Sequence, residues 1–477
     1  MTRHDAYSSP LAERYASAAM LALWSPAKRY GLWRRLWLTL AEQERALGVT
    51  IPEAALSQMR EHLDDIDFDA VATYEKRFRH DVMAHVHAFG DAAPAAKGII
   101  HLGATSAFVT DNADLMLMRE GLAILRAKVY DIVRALSGFA TEWRAEATLG
   151  YTHLQPAQLT TVGKRATLWL QDLVLDLSDL EHRAATLPLR GVKGTTGTQA
   201  SFLELFGGDH DKVRQLDQRV TAALGFNASL PVTGQTYTRK LDAQVLDVIG
   251  GLAATAAKFA SDVRMLQSFG EISEPFETEQ IGSSAMAYKR NPMRSERINS
   301  LARFVLSLVP NANQTHAVQY FERTLDDSAN RRLVIPDAFL AMDAILILML
   351  NVAKGLEVHR ARIRQRIADE LPFMATEALI VRAVQDGGDR QVVHEVIRRH
   401  SVAAAQAMKN EGASNDMLER LAADPNFPAD MDDLRRVIDP SRFVGRAPEQ
   451  VDDFLRDVIA PLVANAPIQT SRDEVRV

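Results

Sequence analysis

The sequence predicts an all-α protein in which long helices form a central bundle. In three stretches the apolar residues recur at steps of three and four, which is the helical period in its coiled-coil form. These stretches cover residues 115–139, 162–180 and 241–266. No alternating period-two run is long enough for a substantial sheet, although residues 188–202 could contain a small hairpin.

Length, composition and charge limit the class of protein. At 477 residues the chain is too long for one ordinary core, and about 150 residues per domain predicts about three domains. Apolar residues make up 47% and charged residues 24%, as in soluble globular proteins. The net charge of −6 argues against a general nucleic-acid binder, which needs a basic face for the phosphates.

Cysteine content and hydropathy bear on the compartment. The lack of cysteine excludes disulfides and thiol catalysis, and it fits a reducing environment. Residues 1–5 open the chain without the apolar core of a signal peptide. The most apolar short run, residues 344–350, is far below the roughly 20 residues of a membrane helix and predicts a buried helix segment. We therefore expect a cytoplasmic protein without a membrane span.

The N-terminal and central domains follow from the helical patterns. Residues 1–105 carry a shorter pattern over 32–47 and predict a separate helical domain. Residues 106–358 hold the three long helices, the first of which Thr110 or Asp111 could cap. Long helices with narrow apolar seams bury little alone, so we expect a bundle that is shared between subunits.

The C-terminal domain is predicted from a change of pattern after residue 358. Residues 359–477 carry amphipathic segments that are interrupted at 386–388 and by a proline-containing loop at 423–432. The last residues, 471–477, predict a mobile tail.

The loop at residues 282–292 has the strongest chemical signal in the chain. Gly282, Ser283 and Ser284 give a backbone that can bend and offer free N–H groups, and Lys289 and Arg290 add positive charge. Such a segment can collect an anion. The alternative is a solvated Gly-Ser turn ahead of a basic helix start.

Two further loops precede the long helices. Residues 101–106 place Thr105 and Ser106 near a helix N-terminus, where anions are favoured, although simple capping is the alternative. Residues 152–158 contain His153, the side chain type best suited to carry a proton near neutral pH. A lone histidine before a proline is more often structural.

Two more loops have compositions that suit anion binding. The Gly-Thr-rich residues 191–199 could hold a carboxylate or phosphate, but they do not match the spacing of a P-loop. Residues 321–332 bring together three arginines, and arginine suits bidentate phosphate binding. A surface charge run is the alternative explanation.

Three histidines, His80, His85 and His87, raise the question of a metal site. Their spacing does not put all three on one helical face, and no cysteine assists. We expect no metal site and no cofactor.

Together these segments resemble the adenylosuccinate lyase family of the fumarase and aspartase superfamily, in its long eukaryotic-type branch. The resemblance covers almost the whole chain. The signature loop departs from the usual form at Ala287, where the superfamily has proline. The segments that carry the resemblance are residues 79–81, 101–106, 152–153, 233–240, 282–292 and 321–332.

The resemblance implies two reactions with one chemistry. Fumarate would be eliminated from adenylosuccinate, giving AMP, and from succinyl-aminoimidazole carboxamide ribotide, giving its carboxamide product, in purine nucleotide synthesis. Ser283 would be the base and His153 the acid, and Lys289 would stabilise the negative charge. The sequence alone does not distinguish the hydroxyl of Ser283 from that of Ser284.

The resemblance also implies the binding residues and the assembly. Family members are homotetramers whose active sites are each built from three subunits, and they use no cofactor. The substrate-binding positions implied here are Arg14, Tyr15, Arg79, His80, Asp81, Thr105, Ser106, Gln235, Asn291, Arg297, Arg323, Ser328 and Arg332.

Two alternatives remain from the sequence. Argininosuccinate lyase and fumarase share the signature loop, but the arginines of residues 323–332 and the segment 233–240 favour a substrate with a phosphate. A catalytically silent bundle protein is the other alternative. Ala287 favours it, whereas the presence of His153, Ser283 and Lys289 argues against it.

Overall fold

The computed structural model describes residues 5–464 and 466 and confirms the all-α prediction. The N-terminal part begins with a π-helical turn, Leu11–Tyr15, and contains a further 3₁₀ turn, Pro94–Ala96. Serine side chains cap its first two α-helices, as expected for helix starts. The α-helices of this part are α1 (Ala18–Leu23), α2 (Pro26–Ala46), α3 (Glu53–Glu61), α4 (Phe68–Phe78) and α5 (Asp81–Ala92).

The central part contains the three predicted long helices, two further long helices and two shorter ones. Helix α10 packs along α11, α6 packs along α7, and α12 packs against α6, α10 and α11. The helices of this part are α6 (Ser106–Glu142), α7 (Val162–Thr186), α8 (Ala200–Leu205), α9 (His210–Ala223), α10 (Lys240–Phe269), α11 (Met293–Ala317) and α12 (Asp326–Lys354).

Helix α12 forms the centre of the bundle. Residues 344–349 are buried, which confirms the prediction of a buried helix segment. By length and composition alone α10 and α12 could each cross a membrane, but 56% and 78% of their most apolar windows are buried inside the fold. Glycine permits the close approach of α6 to α12, because a Cβ at Gly121 would lie 2.6 Å from the Phe339 ring.

The C-terminal part has a second, smaller cluster of buried apolar side chains, which is formed by residues 375–434. A 3₁₀ turn, Pro440–Arg442, and a π-helical turn, Leu455–Ile459, lie near its end. Its α-helices are α13 (Arg360–Met374), α14 (Thr376–Gln385), α15 (Arg390–Glu411), α16 (Met417–Ala423), α17 (Met431–Val437), α18 (Ala447–Phe454) and α19 (Ala460–Ala464).

The predicted hairpin at residues 188–202 is wrong. Residues 188–199 form a loop with one isolated bridge, between Leu189 and Ser229, and residues 200–202 begin α8. Three glycines of the loop have positive φ, at Gly191, Gly194 and Gly197, which is incompatible with a regular strand.

The hairpin of the described chain lies instead between α6 and α7. Strand β1 (Ala147–Thr152) pairs antiparallel with β2 (Gln155–Thr161), with an irregularity between Leu149 and Tyr151. A second short pair joins β3 (Ile272–Ser273) to β4 (Glu357–Val358).

The expected cap of the first long helix is also wrong. Helix α6 begins at Ser106 with Thr105 in the N-cap position, so Thr110 and Asp111 lie inside the helix. Asp111 is buried there and pairs with Arg239. The division of the chain at residues 105 and 358 stays a prediction, and the tail at 471–477 lies outside the described residues.

Candidate active site

A cavity of about 1110 Å³ lies where the N-terminal helices meet the starts of α6 and α12. Its volume suits a nucleotide-sized ligand. Nine of the predicted site residues line it together, although they come from four separate segments of the sequence. These are Arg79, His80, Asp81, Thr105, Ser106, Gln235, Arg323, Ser328 and Arg332.

A tight helix junction presents Arg79, His80 and Asp81 to the cavity. Arg79 ends α4 in the left-handed conformation, with φ of 55°, which is strained for a residue other than glycine. His80 then caps α5, since its Nδ1 accepts from the backbone N–H of Met83 at 3.3 Å. The strained turn therefore fixes two charged side chains at the start of a helix.

The start of α6 supplies the hydroxyls. Thr105 occupies the N-cap position, but its side chain makes no capping bond. Its Oγ1 instead accepts from the side-chain amide of Gln235 at 3.4 Å, and the Ser106 hydroxyl lies 3.5 Å from Nε2 of His80. Simple capping therefore does not explain Thr105, and a helix N-terminus faces the cavity, where an anion is favoured.

The segment that carries Gln235 is bound closely to the one that carries Arg323. The Gln235 N–H donates to the carbonyl of Glu322 at 2.9 Å. A Cβ at Gly234 would lie 2.7 Å from the Glu322 Cα, so only glycine allows this approach. On the other side, Arg190 donates to the Gln235 carbonyl at 2.8 Å.

The Gly-Thr-rich loop at residues 191–199 supports this wall of the cavity from behind. The carbonyls of Gly191 and Gly194 accept from the guanidinium of Arg190, at 3.2 Å and 2.8 Å. The Lys193 ammonium lies 2.7 Å from the Asp217 carboxylate. The base of the loop is thus used for internal bonds, and the cavity lining does not include it.

A buried network of arginines and aspartates forms the floor of the cavity. Arg239 pairs with Asp327 at 2.6 Å and with Asp111 at 3.2 Å. Arg331 pairs with Asp242 at 2.7 Å and with Asp114 at 3.1 Å.

The hydroxyl of Tyr237 joins the members of this network. It donates to Asp242 at 2.5 Å and accepts from Arg331 at 2.5 Å, while the Tyr237 backbone N–H donates to Asp111 at 2.9 Å. Burial alone would raise the pKa of Asp111, but the nearby arginines, Arg239 first, hold it below its ordinary value. The network ties α6, residues 237–242 and α12 together.

Sequence reasoning missed this network. Arg331 and Asp327 lie within a segment that reads as a surface charge run, yet both are buried. Tyr237 and Arg239 could have indicated the network, because they belong to the segment 233–240 that carries the family resemblance and lie directly before α10.

Two arginines of the cavity lining, Arg79 and Arg323, have positive charges that no carboxylate of the described residues neutralises. Within residues 5–464 and 466, Arg79 and Arg323 form no ion pair, whereas Arg332 pairs with Asp81 at 2.8 Å. Arg29, which the sequence analysis did not select, pairs with Asp114 at 3.3 Å. Two unpaired guanidiniums beside a helix N-terminus form a site that suits a phosphate or carboxylate.

Four predicted binding residues, Arg14, Tyr15, Asn291 and Arg297, lie outside this cavity lining. Arg14 and Tyr15 belong to the first π-helical turn, and the guanidinium of Arg297 on α11 lies 5.7 Å from the Tyr15 ring centre. The segment is anchored just beyond Tyr15, where the Ser17 N–H donates to the buried Asp343 carboxylate at 2.7 Å.

His153 lies at the tip of the β1–β2 hairpin rather than in a loop before α7. His153 and Leu154 form the turn with φ of 54° and 56°, and Leu154 is 68% exposed. The histidine is therefore held out from the chain on a two-stranded arm.

Residues 282–292 form the predicted loop, and α11 begins directly after it. The Ser283 hydroxyl oxygen accepts from the backbone N–H of Met286 at 3.2 Å and of Ala285 at 3.4 Å. The Asn291 side chain donates to the Gly282 carbonyl at 2.8 Å and closes the loop. Lys289 and Asn291 line a second cavity, of about 590 Å³, with residues of α10 and α11.

One chain therefore does not bring all the predicted site residues together. The large cavity collects the binding residues, whereas His153, Ser283 and Lys289 are absent from its lining.

The three histidines considered for a metal lie in different environments. The ring centres of His85 and Tyr30 lie 3.9 Å apart, and burial lowers the pKa of His85 to about 4. The ring centres of His87 and Phe78 lie 4.7 Å apart. In the part of the chain that the structure describes, no group of three or more potential ligand side chains converges.

Comparisons with known proteins agree with this fold and motif set. Residues 40–307 match the family model described as lyase, and residues 372–454 match the model described as adenylosuccinate lyase C-terminus. The solved 3-carboxy-cis,cis-muconate lactonizing enzyme of Pseudomonas putida has the same fold, with a TM-score of 0.80 at 22% identity over 94% of this chain and 98% of that one. The fold and the first model define a lyase of the fumarase and aspartase superfamily.

The curated relatives are more specific. An adenylosuccinate lyase of Saccharomyces cerevisiae is 53% identical over 96% of this chain and 95% of its own length. One of Schizosaccharomyces pombe is 50% identical over 100% of this chain and 99% of its own length. The chain belongs to the adenylosuccinate lyase family, and it is a C–N lyase.

Proposed function

We propose that this protein eliminates fumarate from adenylosuccinate, giving AMP, and from succinyl-aminoimidazole carboxamide ribotide, giving the carboxamide ribotide. The observation that carries the proposal is the cavity with two unpaired arginines, Arg79 and Arg323, beside the N-terminus of α6. Both substrates have one phosphate and two carboxylates, and these groups need several guanidinium and hydroxyl donors. The names of the yeast relatives support the same reaction.

Ser283 is the proposed base. It takes the proton from the carbon next to a succinyl carboxylate, and the electron pair of that C–H bond is delocalised into the carboxylate. To act as this base, Ser283 must first lose its hydroxyl proton to solvent, and the resulting alkoxide forms only if its negative charge is stabilised. Taking the proton from carbon then restores the neutral hydroxyl. The two backbone N–H groups that already point at the Ser283 oxygen supply such stabilisation, and they favour Ser283 over Ser284.

His153 is the proposed acid. As the carbanion collapses to fumarate, the C–N bond breaks and the histidine gives its proton to the departing nitrogen. Lys289 adds a positive charge close to the loop and stabilises the extra negative charge of the carbanion.

The active sites are proposed to be shared within a homotetramer. Two observations support this. The cavity of one chain lacks His153 and Ser283, and the long helices expose apolar side chains that need partners. Leu168 and Leu175, seven residues apart on one face of α7, are 49% and 59% exposed.

The first experiment follows fumarate release from adenylosuccinate, with argininosuccinate and malate as parallel substrates. Release from adenylosuccinate alone is expected. Release from one of the other two would place the protein elsewhere in the superfamily, and no release from a folded tetramer would favour the silent scaffold.

Variants then test the roles of the acid and the base. Ser283→Ala and His153→Ala should each lower kcat by roughly 10²-fold or more with the tetramer intact, while Ser284→Ala serves as the matched control. If the acid and base of one site come from different subunits, a refolded mixture of the two inactive variants regains activity. A mixture that stays inactive would refute that division between subunits.

A further inference from the structure

A buried carboxylate contacts strand β1 of the hairpin that carries His153. Glu271 is 1% exposed and occupies the turn between α10 and β3. It accepts from the hydroxyl of Tyr151 at 2.9 Å and from that of Thr148 at 3.4 Å, both on β1. Its partner of opposite charge is Arg366 on α13, whose Nε lies 2.8 Å from the carboxylate.

The contacts of Glu271 close into a ring. Arg366 also donates to the Tyr151 hydroxyl at 2.9 Å, so Tyr151 accepts from the arginine while it donates to the glutamate. Burial raises the pKa of Tyr151, so the hydroxyl keeps the proton that it donates. Arg165 of α7 extends the ring, because it donates to the Leu149 carbonyl on β1 at 2.5 Å and lies 4.0 Å from Glu271.

This ring holds the strand that leads into an exposed tip. Tyr151 lies two residues before His153, and the tip beyond it makes a turn with two positive φ values and an exposed leucine. The ring binds β1 to α7, α13 and the end of α10. We therefore expect these contacts of β1 to set the direction of the tip.

We propose that Glu271, Tyr151 and Arg366 are positioning residues, which hold the hairpin so that His153 reaches the departing nitrogen of the substrate. The proposal rests on the proposed role of His153 as the acid. A reacting group that is displaced by about 1 Å can cost up to roughly 10²-fold in rate. Removing one partner of a buried ion pair leaves an uncompensated charge, so thermal stability is measured beside turnover. Because the ring holds the acid and not the substrate, its loss should lower kcat more than it raises KM.

The test compares Tyr151→Phe and Glu271→Gln with the wild-type protein and with Tyr130→Phe. The control removes the same kind of bond elsewhere, since the Tyr130 hydroxyl donates to Glu181 at 2.7 Å and Tyr130 is also buried. We expect kcat to fall about tenfold in Tyr151→Phe and further in Glu271→Gln, with KM within twofold of wild type. Tyr130→Phe should keep its kcat with a similar loss of thermal stability.

Amide hydrogen exchange over residues 147–161 gives a second measurement that does not need activity. Exchange there should be at least tenfold faster in Tyr151→Phe and unchanged in Tyr130→Phe. Unchanged kcat in both variants, or a rise in KM with kcat preserved, overturns the proposal. If the wild-type protein releases no fumarate, the proposed function fails, and unchanged exchange would then also overturn the positioning role.

Discussion

Replacing Gly234 by alanine tests whether the cavity depends on the close contact between the segment that carries Gln235 and the segment that carries Arg323. The new Cβ would lie 2.7 Å from the Glu322 Cα, whereas non-bonded carbons rest at about 3.5–4.0 Å. The two segments must therefore separate by about 1 Å. That movement breaks the 2.9 Å bond from the Gln235 N–H to the Glu322 carbonyl and shifts Arg323 with it.

The expected magnitude follows from these contacts. Overpacking costs about 1–3 kcal/mol and the lost hydrogen bond about 1 kcal/mol. The smaller backbone entropy of unfolded alanine offsets about 0.4–1 kcal/mol. The net loss is about 1–4 kcal/mol of folding stability. Because the proposed ligands Gln235 and Arg323 move apart, KM for adenylosuccinate should rise by roughly 10–100-fold.

The assay measures steady-state fumarate release together with the melting temperature. Gly138→Ala is the matched control, because Gly138 lies on the exposed face of α6 and its new Cβ meets nothing within 4 Å. That control should keep its KM and gain up to about 1 kcal/mol of stability, since alanine favours a helix over glycine. A Gly234→Ala protein with the KM of wild type would refute the inference that this contact shapes the binding site.

Three further predictions concern charge and loop stiffness. Arg323→Gln should raise KM for adenylosuccinate roughly 10–100-fold but leave KM for succinyladenosine, which lacks the phosphate, unchanged; equal effects on both would contradict phosphate binding. Glu44 is fully buried without a hydrogen-bond partner among the described residues, and burial raises its pKa to about 8. The folded chain then keeps a proton that the unfolded chain loses above pH 4.5, so stability falls by about 1.4 kcal/mol per pH unit up to about pH 8. The melting temperature of Glu44→Gln should therefore exceed that of the wild-type protein by an amount that grows over this pH range. A constant difference would contradict the raised pKa of Glu44. Ala287→Pro should slow proteolysis within the signature loop while activity is kept, because proline lowers the entropy of the open loop; unchanged cleavage would show that position 287 does not limit its stiffness.

The long helices could be predicted because their apolar spacing is local and continuous. The hairpin that carries His153 could not, since Pro156 and several polar residues obscure a strand pattern, and one of its contacts is with the distant Glu271. The hairpin predicted for residues 188–202 was wrong because the sequence does not show that the glycines of this stretch adopt positive φ, which prevents a regular strand.

Part of the candidate site could likewise be predicted from the sequence and part could not. The segments around Arg79 and Arg323 were identified from the resemblance, and the structure brings them into one cavity. The buried pairing of Arg239 with Asp111 joins positions 128 residues apart, and no local pattern marks a charged residue as buried. In the proposed tetramer His153 and Ser283 meet between subunits, and a single sequence does not display such a contact.

The floor of the cavity also constrains how this protein can evolve. Two guanidiniums, Arg239 and Arg331, are shared among four carboxylates, so the loss of either arginine leaves at least one buried carboxylate without its ion-pair partner. A substitution of either arginine therefore needs a second change among its carboxylate partners, whereas a surface charge elsewhere on the chain can change alone.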